Sequence, residues 1–253
     1  MTTIREIESY LQSIAPPETA EEWDNVGLLV GAPAAGAPAA AVTDALVCLD
    51  ITHAAVTAAK EAGAQLIVSH HPVIFRPLRR LPGGSVPYAL AQAGIAALCM
   101  HTNLDKAPGG VGETLARALG LQELRTAPDG FTVVGRLPRP LSPEAFVRLV
   151  GERLHTAVRY RPGEREVSLV GVAGGAGGEF LLPALEAFPL DGFVTGEMRH
   201  HEWLDLPGVT AVDAGHYATE VVIVPALAGR LAARFPEVRF HPFEDTPPYQ
   251  TLA

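Results

Sequence analysis

The chain has 253 residues, 48% hydrophobic and 19% charged, which suits a folded protein with a substantial core and excludes intrinsic disorder. Its formal net charge of −9 argues against holding nucleic acid by general phosphate neutralisation. No apolar run reaches membrane-spanning length, and the N-terminal MTTIREIESYL carries early acids in place of an apolar signal region, so a soluble cytoplasmic protein is expected. The two cysteines, Cys48 and Cys99, sit in the apolar runs ALVCLD and AALCMH; they read as core packing, with no disulfide framework.

In chain order, Ile4, Ile7, Leu11 and Ile14 predict an opening amphipathic helix that Pro16-Pro17 terminates. The apolar run VGLLVG follows EEWDN, and residues 32–41 (APAAGAPAAA) read as an exposed low-complexity loop. An alternation then begins. ALVCLD (45–50) is a strand, and THAAVTAAKEAG is a helix capped by Thr52 and stopped at Gly63. QLIVS (65–69) is a strand running into His70-His71-Pro72. VPYALAQAG is a helix, IAALCM (95–100) a strand running into HTNLD, and VGETLARALG a helix. This rhythm predicts parallel βαβ units.

The second half repeats the style. FTVVGRL is a strand, and SPEAFVRLVGERL is a helix with Ser142 at the N-cap and Pro143 at the first position. VSLVGVA enters a glycine loop, DGFVTGE and VTAVDAG are short strands, ATEVVIVPALAGRLAARF is one long helix, and VRFHPF is a last strand. The turn cluster Ala127-Pro128-Asp129-Gly130 sets the expected boundary, giving α/β lobes at 1–128 and 129–253. The last helix and strand are free to pack back on the first lobe.

Ligands gather beyond the C-terminal ends of strands in open α/β sheets. His70 and His71, His101 and Asp105, and His216 all occupy such ends, and Glu220 follows His216 by one helical turn. Imidazole with carboxylate suits zinc, iron or manganese better than calcium or magnesium. The five residues His70, His71, Asp105, His216 and Glu220 exceed what one tetrahedral ion needs, so two ions sharing a bridging carboxylate are expected.

The segments EEWDNVGLLVG, LIVSHHPVIF, HTNLDKAPGGVGETLA, FTVVGRL, VAGGAGGEFL, DGFVTGEMRHHE and VDAGHYATE occur in this order along nearly the whole chain. In them the sequence resembles the YbgI-type dinuclear-metal family, also called Nif-three-like, whose members are often named GTP cyclohydrolase I type 2 homologues. The resemblance implies a Nif-three-like fold of two βα-type lobes with the metal site in the cleft between them. It also implies the same five ligands and a homohexameric ring built as a trimer of dimers. The chain departs from the family pattern at Ala173 and Ala176, where cysteine and serine are usual in the glycine loop. Glu197 replaces the usual aspartate, and Thr219 stands where serine is common.

The motif gives His101 an acid–base role beside the metals, against a plain structural reading as a histidine bonding the turn backbone. Glu197 and His200 would share a face if TGEMRHH were helical, and they are the further catalytic candidates. The glycine run 174–178 reads as a tight turn rather than a phosphate loop, because it lacks the Gly-Lys-Ser/Thr ending. Arg76, Arg79 and Arg80 read as a surface cluster, with phosphate contact as the alternative. Trp23-Asp24-Asn25 reads as a capped turn or a wall of the cleft. The leading expectation is a metal-dependent hydrolase whose activated water attacks C8 of a purine, on a small-molecule substrate of nucleotide type. A metal-dependent phosphoesterase and a non-enzymatic ring for partner binding or metal delivery are the alternatives.

Overall fold

A computed structural model of the chain describes residues 1–31, 41–204 and 206–249. They form two compact units: Met1–Pro108 with Ile223–Thr246, and Gly109–Val222 with the described residues from Pro247 onward. The low-complexity run 32–41 lies, apart from Ala41, outside the described residues.

The first unit opens with α1 (Ile4–Ile14), which buries Ile4, Ile7 and Leu11 and starts in a capping box between Thr3 and Glu6. β1 (Gly27–Val30) and β2 (Asp44–Cys48) follow. α2 (His53–Glu61) begins where the Thr52 hydroxyl accepts the Ala55 N–H. Then come β3 (Leu66–Ser69), α3 (Val86–Ala93), β4 (Ala96–Cys99) and the short α4 (Thr102–Lys106). Gly94 ends α3 at φ 66°, a left-handed position that suits glycine.

The second unit comprises α5 (Val111–Ala118), β5 (Gln122–Thr126), β6 (Val133–Leu141), α6 (Pro143–Leu154), β7 (Arg159–Arg161) and β8 (Val167–Ala173). α7 (Leu181–Ala187), β9 (Gly192–Thr195), α8 (His200–Leu204), β10 (Thr210–Asp213) and α9 (His216–Glu220) complete it. The chain then returns to the first unit as α10 (Ile223–Arg234) and β11 (Arg239–Phe243).

Each unit is built on its own sheet. In the first the strand order is β1-β4-β3-β2-β11, with β11, β2, β3 and β4 parallel and β1 antiparallel to β4. β2, β3 and β4 are buried at every residue, as strands covered on both faces must be. In the second the order is β5-β6-β8-β9-β10-β7; β8, β9 and β10 run parallel, while β5, β6 and β7 pair antiparallel. Its core packs Phe146 and Val150 of α6 against Val167, Val170, Val194 and Val212. Among the described residues no helix is long and apolar enough to cross a membrane.

Two expectations differ from this architecture. The Ala127–Gly130 turn joins β5 to β6 inside the second unit, and the chain changes unit at Pro108–Gly109 instead. The long helix expected over 218–235 is two, α9 and α10, interrupted at Val221–Val222. Pro225 is the physical reason: it has no N–H to donate to Val221, and its ring crowds that carbonyl. The second change of unit falls at this break.

Asp44, 3% exposed at the start of β2, ties down the last strand. Arg239 donates to it twice, at 2.7 and 2.8 Å, and His241 Nε2 lies 2.9 Å away. Arg239 first, then His241, hold this carboxyl well below the usual carboxylate range. A depressed folded value stabilises the fold above the unfolded pKa of about 3.9, and the contribution disappears as pH falls through the folded value. Asp44→Asn is therefore expected to lower stability at pH 7, with the gap to the parent closing progressively below pH of about 4. Urea unfolding across that range checks it.

Candidate functional site

In the first unit, β3 ends at Ser69 and the chain turns at His70-His71-Pro72. In a continuing strand the two imidazoles would point to opposite faces. The turn brings them together instead, with ring centroids 5.0 Å apart. β4 ends one strand over, and His101 follows it; its ring lies 5.2 Å from that of His70 and 5.5 Å from that of His71. Candidate ligand nitrogens of the three lie within 4.8 Å of one another, so this cluster could hold a metal ion. Asp105 returns to the cluster because HTNLD coils into α4, putting its Oδ1 3.6 Å from His70 Nε2.

Each ring is held from behind. His70, 1% exposed, has Nδ1 2.9 Å from the Met100 carbonyl. His71 Nδ1 lies 2.8 Å from Asp50 Oδ1, and His101 Nδ1 lies 2.8 Å from Asp24 Oδ1. Asp24 also accepts the Thr102 N–H at 3.0 Å and the Thr102 hydroxyl at 2.6 Å. Burial acts to raise the Asp24 carboxyl, but the bonds from His101 and Thr102 outweigh it and hold it well below the usual range.

The second unit repeats the device. Gly215, at φ 83°, turns the chain out of β10 into α9, whose first and last residues are His216 and Glu220. His216 Nε2 lies 3.0 Å from Glu220 Oε2, while Nδ1 lies 2.9 Å from Glu197 Oε1. Glu220 is 5% exposed. The longer carboxylate at 197 thus braces the histidine from an exposed turn before α8. His200, expected to share a helical face with Glu197, is instead the exposed first residue of α8, and Glu197 lies outside that helix.

A carbonyl or carboxylate can only accept, so every braced Nδ1 carries the hydrogen in the neutral ring, and Nε2 keeps its lone pair. His70 Nε2 faces the Asp105 carboxylate, and His216 Nε2 faces that of Glu220. Two lone-pair donors at such distances repel unless a proton on the imidazole or a metal cation lies between them. The residues therefore fit a divalent metal with imidazole and carboxylate ligands, each imidazole oriented by an outer hydrogen bond.

Three N–H groups of the glycine loop are engaged within the second unit. The Gly175 and Gly177 N–H groups donate to the hydroxyls of Thr219 and Thr195, and the Gly178 N–H donates to the Glu197 carbonyl. None is free to cradle an anion. A Cβ on Gly175 would fall 2.1 Å from Glu220 Oε1. Thr219 supplies the hydroxyl that accepts the Gly175 N–H at 3.1 Å.

A cleft of about 560 Å³ in the second unit opens beside His216, lined by Arg159, Ala176, Glu197, Arg199 and Tyr249 among others. Sequence reasoning passed over Arg159 and the Asp213 that pairs with it. Asp213, 4% exposed, also accepts the N–H groups of Met198 and Gly215 at 3.1 Å. An aspartate at the strand end in VDAGH was the available signal. Asp24 and Asp50 were passed over as braces too, because each meets its histidine only in three dimensions.

With this geometry established, similarity to known proteins is informative. A family model described as Duf34/NIF3 (NGG1p interacting factor 3) matches residues 2–248. A Streptomyces coelicolor protein named GTP cyclohydrolase 1 type 2 homolog is 33% identical over 240 residues, covering 87% of this chain and 82% of its own. A Lactococcus lactis protein of the same name is 31% identical over 224 residues, covering 84% and 85%. The crystal structure of the Staphylococcus aureus hypothetical protein SA1388 matches with a TM-score of 0.88 at 27% identity, covering 99% of both chains. The match along nearly the whole length, in sequence and in fold, establishes that the chain belongs to the Duf34/NIF3 (NGG1p interacting factor 3) family.

Proposed function

We propose that His70, His71, Asp105, His216 and Glu220 hold two divalent metal ions, and that the protein is a metal-dependent hydrolase of the GTP cyclohydrolase kind for which its relatives are named. The carrying observation is that His70, His71 and His101 bring candidate ligand nitrogens within 4.8 Å of one another while the Nδ1 of each meets an acceptor. Zinc, iron and manganese suit this donor set. When bound, such ions supply Lewis acidity and activate water near neutral pH.

The chain's own residues then have distinct tasks. Asp50 and Glu197 fix the tautomers of His71 and His216 and keep their rings aimed. His101, braced by Asp24 and beside His70 and His71, is placed to accept or deliver a proton through Nε2. Glu197 is exposed enough to meet substrate directly as the second acid–base group.

The test is elemental analysis of the purified protein beside a His70→Ala/Glu220→Ala variant. About two ions per chain, lost in the variant while its circular dichroism is unchanged, is the expected result. No metal in the parent, even after reloading with zinc, manganese and iron, overturns the proposal. Formate release from GTP then marks the cyclohydrolase reaction, and phosphate release marks a phosphoesterase.

A further inference from the structure

A single exposed apolar side chain needs no explanation, but adjoining exposed aromatic rings mark a candidate binding surface. Trp23 is 58% exposed and Phe75 44%, and the two rings stand 5.7 Å apart. Both flank the histidine cluster: the His101 ring lies 6.1 Å from Trp23 and 6.4 Å from Phe75, edge-on to each. Neither aromatic is loosely placed. The next residue after Trp23 is Asp24, anchored to His101 and Thr102, and the Asn25 amide donates to the carbonyl of Ile74, the residue before Phe75. Two partly exposed aromatic rings thus stand on anchored backbone beside candidate metal ligands.

Charge accompanies them. The stretch 75–84, FRPLRRLPGG, carries three arginines and no acid in a chain of net charge −9. Arg76, Arg79 and Arg80 are exposed, and among the described residues none makes an ion pair. Arg80 is five residues beyond Phe75, at most about 18 Å of extended chain. Aromatic faces with flanking guanidinium groups are the chemistry that recognises a base and its phosphates.

We propose that Trp23 and Phe75 form a stacking platform for the base of a nucleoside phosphate, and that Arg76, Arg79 and Arg80 meet its phosphates. The assignment rests on the hydrolase reading for the chemistry after binding, but not for binding itself. It selects a nucleotide over a small non-aromatic substrate, and it names the residues that set that preference.

The chain has two tryptophans, so a Trp203→Phe background leaves Trp23 as the only one. GTP is expected to quench its fluorescence saturably, with and without EDTA. In that background guanosine should bind more weakly than GTP, and inorganic tripolyphosphate should produce no quenching. Trp23→Ala, followed by competition with a fluorescent guanine nucleotide, should weaken GTP about tenfold or more, with Trp23→Phe largely restoring it. Arg76→Gln/Arg79→Gln/Arg80→Gln should weaken GTP and leave guanosine unchanged.

Undiminished GTP binding by Trp23→Ala overturns the platform. So does binding of a single-stranded oligonucleotide with steep salt dependence where GTP does not bind, or a Trp23 shielded from acrylamide because a second copy of the chain covers it. Metal content, measured on the same samples, separates failure here from failure of the metal assignment.

Discussion

Gly175→Ala is expected to remove tight metal binding from the His216–Glu220 pair without unfolding the protein. The new methyl would stand 2.1 Å from Glu220 Oε1, where real Cβ atoms essentially never stand, and a tight 3.1 Å from His216 Nε2. Glu220 is nearly fully buried on α9, so its carboxylate can yield only by leaving the position that faces His216. The left-handed φ of 58° adds about 1–2 kcal/mol for any residue other than glycine. Metal affinity measured by competition with a chromophoric chelator should fall at least about tenfold, the order seen when ligand geometry is disturbed. Gly208→Ala is the control. It has a positive φ of 71° but open space around it, so it should cost about 1 kcal/mol in urea unfolding and leave metal affinity unchanged. Unaltered affinity in Gly175→Ala would remove Glu220 from the ligand set.

Asp24→Ala should be among the most destabilising single changes in the first unit. The carboxylate is fully enclosed and is met by His101 Nδ1, the Thr102 N–H, the Thr102 hydroxyl and the N–H of Asn25. Deleting it strands those donors in a site from which water is largely excluded, at a cost of about 3–5 kcal/mol. Asp24→Asn keeps the shape but turns an amide NH₂ toward donors, so an intermediate loss of about 1–3 kcal/mol is expected. Urea unfolding gives both numbers. Nitrogen chemical shifts of His101 supply a second readout, because without Asp24 the ring is free to adopt the other tautomer. A His101 whose tautomer is unmoved in Asp24→Ala would show that the Nδ1 hydrogen is fixed by something else.

Much of the first unit was legible because local rules decided it. Ile4, Ile7 and Leu11 set one helical stripe, Thr52 and Gly94 punctuate helices, and the apolar runs ALVC, LIV and AALC of β2, β3 and β4 declare a parallel sheet. The imidazoles and carboxylates at strand ends were visible for the same reason. What escaped notice depends on distant partners. β5 and β7 are short, polar and mostly exposed, so no alternation marks them, and only pairing with β6 and β10 makes them strands. Asp24 lies 77 residues from the histidine it orients, and Asp50 lies 21 from its own. Arg159 reaches the cleft only because β7 joins the edge of β10. The unit boundary was missed because a turn cluster marks a change of direction, not a change of core.

The discontinuous first unit has a consequence for how the chain is made. β11 begins 191 residues after β2 ends, counted from Cys48 to Arg239, yet it is the strand that covers that edge. At roughly 5–20 residues per second, a ribosome leaves β2 waiting for about 10–40 s. During that interval a ladder of free backbone groups faces outward, an invitation to pair with another nascent chain. The second unit, nearly all of it in one continuous stretch, can fold meanwhile, so the natural sequence of events is for the inserted unit to form first and for the interrupted one to close last. Vectorial synthesis thus makes the Asp44–Arg239 clasp a late step, the one that seals the exposed edge.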